Sequence, residues 1–225
     1  MKTRNIYLHI FFLAVVIIEL ISRWLENHET EYFAKPLLLV WIAVYYALNT
    51  PGKDIQYTLI SAFAFSWIGD IFLMLAHIKD IFFFAGVGGF FFAQVFYIIS
   101  FISGRGRAGK GSIIKQPVWL LPFLVYLVIM IWYLYPGLEG IMRPVIIVYG
   151  ISLIGMSVAA FNRMGTVNHR SFILVFTGSV FFVLSDSMIA INKFQTEFPK
   201  ASFIIVATYI LAQYLILRGV LLTKD

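Results

Sequence analysis

Apolar residues in this chain form long blocks separated by short clusters of charged and turn-forming residues. Taken as boundaries, these clusters leave eight apolar stretches, at about 6–22, 33–49, 56–76, 81–103, 117–135, 141–161, 171–192 and 200–221. Each is near the ~20 residues that an α-helix needs to cross the hydrocarbon of a bilayer. Inside lipid only helices and closed barrels satisfy their own backbone hydrogen bonds. Barrel strands alternate apolar and polar residues, and the runs 81–92 and 172–184 do not. The pattern predicts an all-α, polytopic membrane protein with eight transmembrane helices, residues 1–225 forming a single integral membrane domain. Lys2 and Arg4 precede the first stretch, but no small-x-small site follows and Glu19 lies inside it. That stretch is expected to remain as a helix rather than to be removed as a signal peptide.

Composition agrees with the pattern. Of 225 residues, 61% are hydrophobic and 12% charged, against about 25% charged in a soluble domain. Such a chain cannot cover a water-facing surface, and it is too apolar to be disordered. The absence of Cys excludes disulfide scaffolds, thiolate nucleophiles and Cys-based zinc sites. No pair of His residues has zinc-ligand spacing, so neither metal nor cofactor is expected.

The net charge of +6 is distributed unevenly. With the N-terminus inside, the inner segments hold Lys2, Arg4, Lys53, Arg105, Arg107, Lys110, Lys115, Arg163, Arg170, Arg218 and Lys224. The outer segments hold only Arg23, Lys35, Lys79, Arg143, Lys193 and Lys200. The positive-inside rule therefore places both termini in the cytoplasm. The basic excess reads as topology and contact with anionic membrane lipids, with no nucleic-acid partner. Residues 104–110 match the opening of a phosphate-binding loop, G-x-x-x-x-G-K, but position 111 is Gly where Ser or Thr should follow. The strand that this motif requires before it is also missing, so the segment is read as a basic connection.

Three acids fall inside the stretches: Glu19, Asp70 and Asp186. A charge at mid-membrane costs about 2.5–3.5 kcal/mol on insertion scales, which makes such residues functional candidates. Glu19 has Arg23 at i+4 and is read as an ion pair. Asp70 and Asp186 have no basic residue within a helical turn, so their partners must come from other helices or water. Each lies roughly six residues before the outer end of its stretch, about 9 Å deep. Lys35 and Arg143 open stretches two and six at the same level, so the polar groups are expected to gather in one leaflet.

The two halves also match in order. Lys35-Pro36 corresponds to Arg143-Pro144, Asp70 to Asp186, and Ala93-Gln94 to Ala212-Gln213. This spacing suggests a 4+4 internal repeat with halves 1–108 and 109–225, of the parallel kind found in some membrane proteins.

These residues resemble those of the YhhN-like lysoplasmalogenases, a family of eight-span membrane enzymes. The resemblance rests on Lys35-Pro36-Leu37, Gly69-Asp70 followed by apolar residues, and Gln94-x-x-Tyr97. It continues with Ser185-Asp186 followed by Ile189-Ala190-x-Asn192-Lys193-Phe194, and with Tyr209-x-x-Ala212-Gln213. Many members have His where this chain has Gln94, an amide that can hydrogen-bond but not relay a proton. The resemblance implies hydrolysis of the vinyl ether of a lysoplasmalogen taken from the bilayer, giving a fatty aldehyde and a glycerophospho-ethanolamine or -choline. That chemistry needs one acid to protonate carbon and one group to activate water or stabilise the cation. Two buried carboxylates can divide those roles, and Asp70 and Asp186 are the expected catalytic pair, with acid and base unassigned. Lys35, Arg143 and Lys193 are candidate phosphate contacts. Gln94, Tyr97, Asn192, Tyr209 and Gln213 are candidates to orient the ether oxygen or water. The Phe residues at 82–84 and 90–92 either line an alkyl groove or face lipid. A proton-coupled transporter is the alternative, since paired intramembrane carboxylates also serve proton relays. A non-catalytic lipid-binding protein is a third reading.

Overall fold

The computed structural model describes residues 2–104 and 111–224, so Arg105, Arg107 and Lys110 of the basic connection lie outside the described residues. Among the described residues the chain is 85% helical with no strands. Eight helices are long and apolar enough to cross a membrane, making this an integral multi-pass protein. They are α1 (Lys2–Trp24), α2 (His28–Leu48), α3 (Tyr57–Met74), α4 (Asp80–Ser103), α6 (Leu121–Leu134), α7 (Met142–Phe161), α8 (His169–Phe194) and α9 (Ala201–Leu221). A short α5 (Ser112–Lys115) precedes α6, and 3₁₀ turns at both ends lengthen the α6 span to Pro117–Gly137.

Every predicted stretch became a spanning helix, with shifted ends. α2 starts five residues earlier than the apolar pattern does, because the Asn27 side chain caps it by accepting from Thr30 N at 3.3 Å. Glu29 and Glu31 then occupy its first turn, where the helix dipole favours acids. This early start places Pro36 inside α2 rather than at its beginning. Asn168 caps α8 in the same way, accepting from Ser171 N at 2.7 Å.

The closest packing joins α3 to α4 and α8 to α9. At the first crossing, a Cβ added to Gly89 would meet the Gly69 nitrogen at 2.8 Å. At the second, a Cβ on Gly178 would meet the Ala212 carbonyl at 2.8 Å. Small residues allow this approach where lipid supplies no hydrophobic drive between helices. Side chains from α1, α2, α3, α4, α7, α8 and α9 build the core, among them Phe12, Tyr46, Phe63, Tyr97, Met156, Phe182 and Ile216. By contrast α6 buries only Leu134 and turns most of its surface outward.

Both termini lie at one end of the bundle. Arg4 donates to the Leu48 carbonyl at 3.0 Å, and His9 meets Arg218 at 3.5 Å. Arg163, just beyond α7 at this end, is 1% exposed. It donates to Ser171 Oγ at 3.0 Å and Thr223 Oγ1 at 2.7 Å, tying α8 to the turn after α9. Burial pushes its pKa down to about 10. A residue counted from sequence as a flanking charge is thus an internal staple.

Candidate active site

The acids gather at the opposite end. Asp70 lies four residues before the end of α3 and Asp186 eight before the end of α8. Those offsets correspond to about 6 and 12 Å along the helix axes, rather than the equal 9 Å expected.

Asp70 is 2% exposed, and each of its oxygens has a partner. Lys35 Nζ stands 3.1 Å from Oδ1, and the Tyr209 hydroxyl donates to Oδ2 at 2.7 Å. Lys35 turns inward from α2 and is itself buried, so its ammonium is committed to Asp70 and not to a lipid phosphate. Glu19 pairs with Arg23 at 2.9 Å, as its spacing predicted, and Arg23 also reaches Glu31 at 2.5 Å and Ser202 at 3.0 Å. Ions removed from water must be paired and hydrogen-bonded in this way, and breaking one such pair leaves its partner uncompensated.

Among the described residues the hydrogen-bond partners of the Asp186 carboxyl are neutral. The Tyr149 hydroxyl forms a short hydrogen bond to Oδ2, and Gln94 Nε2 donates to the same atom at 3.3 Å. Ser152 donates to the Gln94 carbonyl oxygen, which fixes the amide with its NH₂ group toward Asp186. Among the described residues no donor bonds Oδ1.

Asp186 also lines a cavity of about 70 Å³ between α4, α6, α7 and α8. Its walls are apolar apart from Tyr126, Tyr149, Asp186 and Ser187. Phe83, Val87 and Phe90 face it at helical spacing from α4, while Ile81 and Phe92 are exposed. The phenylalanine-rich helix thus divides by face between cavity and lipid. Phe90 separates the two acids: it lines the cavity and meets the Tyr209 ring edge-on at 5.8 Å. Gly69 makes room for it, since a Cβ there would sit 2.6 Å from the Phe90 ring.

The other sequence candidates fall into two groups. Tyr97 donates to Gln213, whose amide donates to Ser66 Oγ at 3.3 Å, all three fully buried behind Tyr209. A turn further along α4, Ser100 donates separately to Gln56 at 2.9 Å, toward the end with the termini. The expected gathering of polar groups in one leaflet therefore holds for the carboxylates but not for the hydroxyls and amides. Arg143, Asn192 and Lys193 sit apart, at the rim. The Arg143 guanidinium lies 4.9 Å above the Tyr135 ring and donates to the Leu138 carbonyl at 3.0 Å. Lys193 Nζ is 5.3 Å from the ring centre of Phe83, a cavity residue. Asn192 accepts from Phe198 N at 3.3 Å and so shapes the α8–α9 loop.

Sequence reasoning missed Tyr149 and Ser152. Their signal was an i, i+3 pair of polar groups on one face of stretch six.

No solved structure matches this chain. The sequence profile of the YhhN family matches residues 30–220, a span that includes both acids and all their partners. The chain belongs to the YhhN family, the lysoplasmalogenase family.

Proposed function

We propose that this protein hydrolyses the vinyl ether of a lysoplasmalogen, with Asp186 as the acid that begins the reaction. Family membership is consistent with a membrane hydrolase. The observation that carries the assignment is that Asp186, unlike Asp70, lines an apolar cavity and has one carboxyl oxygen without a donor among the described residues.

An amphiphile reaching the cavity from the bilayer places its ether beside Asp186 and its chain among Phe90, Leu127, Leu153 and Ile154. The Asp186 O–H protonates the double-bond carbon remote from oxygen, leaving an oxocarbenium ion beside the new carboxylate. Water adds to the carbon attached to oxygen, and its proton returns to Asp186. The resulting hemiacetal collapses, its C–O bond breaks, and the proton passes to the glycerol oxygen. Aldehyde and glycerophosphodiester leave, and the acid is regenerated. Tyr149 and Gln94 hold the second carboxyl oxygen, which keeps the proton-bearing one aimed into the cavity. The Lys35–Asp70–Tyr209 unit is a positioning element behind Phe90. At the rim, Lys193 and Arg143 supply the charge for the headgroup phosphate.

The test is aldehyde release from a lysoplasmalogen by purified protein in nanodiscs. Turnover by the wild type and none by folded Asp186→Asn is expected. Equal turnover by that variant would end the assignment. A proton-coupled carrier is the second reading, favoured by the polar pairs Tyr97–Gln213 and Ser100–Gln56, which follow one another along α4 toward the end with the termini. Folded but inactive wild type that moves protons with an amphiphile across proteoliposomes would establish it instead.

A further inference from the structure

The cavity contains a second polar feature that the chemistry above does not use. Tyr126 on α6 and Ser187 on α8 bond each other, OH to Oγ, at 2.8 Å. Both line the cavity, and Ser187 follows Asp186 directly in the chain. Of the four polar residues in the walls, Tyr149 is committed to Asp186, whereas among the described residues these two hydroxyls bond only one another. Two hydroxyls sharing one hydrogen bond keep one O–H and several lone pairs in reserve. In a mostly apolar pocket, a few such groups fix the ligand's orientation.

We propose that Tyr126 and Ser187 recognise the free hydroxyl that neighbours the scissile ether, and so make the cavity selective for lipids with a single chain. This rests on the reading of the protein as an ether-lipid hydrolase and adds the residues that choose the substrate. In a lyso-ether glycerolipid the reactive oxygen is on one glycerol carbon, a free hydroxyl is on the next, and the phosphate follows. Along α8 the groups follow the same order: Asp186 and then Ser187 in the cavity wall, and Lys193 outside that wall, beside Phe83, about 9 Å beyond Ser187. A bound hydroxyl inserts between Tyr126 and Ser187, donating to one and accepting from the other. An acylated oxygen has no proton to give, and its second chain must fit where α6 meets α8. A site built to bond a hydroxyl rejects a ligand without one, because its own polar groups are then left unpaired.

The experiment uses saturated ethers, which cannot be cleaved, so that recognition is measured apart from chemistry. A single-chain 1-O-hexadecyl glycerophosphoethanolamine and its 2-deoxy counterpart are titrated calorimetrically into full-length protein in nanodiscs. Wild type is expected to bind the hydroxyl-bearing ether about tenfold more tightly, the scale of one hydrogen bond. In Ser187→Ala and in Tyr126→Phe the ratio should fall to near one. Equal binding of the two ethers by wild type overturns the proposal. So does a ratio that survives in both variants, or a parallel weakening of both ethers, which would make the pair only a tie between helices. Selective binding by a protein that releases no aldehyde from the vinyl ether would leave the recognition standing and remove the hydrolase reading.

Discussion

Asp70 and Asp186 occupy similar helices at the same end of the bundle, yet their surroundings differ. Asp70 has an ammonium on one oxygen and a phenol on the other, and lies behind Phe90. Asp186 has a phenol and an amide on a single oxygen, and lines the cavity. Charge in a membrane is tolerated where it is paired, and reactivity requires a group that is not fully satisfied. The same residue type is therefore ion-paired in one corner and left with an oxygen open to the cavity in the other.

Substitution can break this comparison at four levels. The largest effect is expected for Asp186→Asn: a loss of about 10³-fold in aldehyde release, in the range of a general acid, with an unchanged melting curve. A melting temperature that falls as far as the activity would place Asp186 with Asp70 as a structural group. Next comes Asp70→Asn, which leaves Lys35 buried without its counter-charge and should cost about 3–5 kcal/mol of stability. The double change Lys35→Met with Asp70→Leu should recover most of it in thermal unfolding. If it does not, the pair does more than hold α2 to α3. Third is Tyr149→Phe, expected to lower kcat about tenfold to a hundredfold by removing a donor worth about 1–3 kcal/mol to the acid, with the fold retained. Smallest are Lys193→Ala and Arg143→Ala, exposed cations whose loss should raise KM only a few-fold, since surface charge pairs are worth about 0–1 kcal/mol. That effect should fade at high salt.

Much of this was legible in the chain. Eight apolar blocks became eight spanning helices because a bilayer admits few alternatives. Asp70 and Asp186 stood out because acids are rare within such blocks. The destinations of Lys35 and of Glu19's neighbours were harder to read. Whether a lysine near a helix end snorkels or turns inward depends on how α2 is rotated against α3, which the local sequence does not encode. Tyr149, Ser152, Tyr126 and Ser187 were hidden for a related reason. Tyrosine and serine are ordinary residues in a membrane helix, and their partners lie 37 to 61 residues away. The cavity itself arises from the outward position of α6, a matter of packing between helices rather than of composition.

The position of α6 has a consequence for any measurement on this protein. This helix has one fully buried side chain, packs Phe123 and Leu127 against the core, and has few polar ties, Tyr126 to Ser187 and the Leu134 carbonyl to Gln195, so much of its outer face is exposed. In a bilayer, acyl chains are expected to lie against that face, beside the cavity. Bilayer thickness and fluidity are then expected to act on the cavity: a thick, ordered membrane should slow exchange beside α6, and a micelle should loosen it. Rates measured in detergent and in lipid will describe two different enclosures built around the same acid.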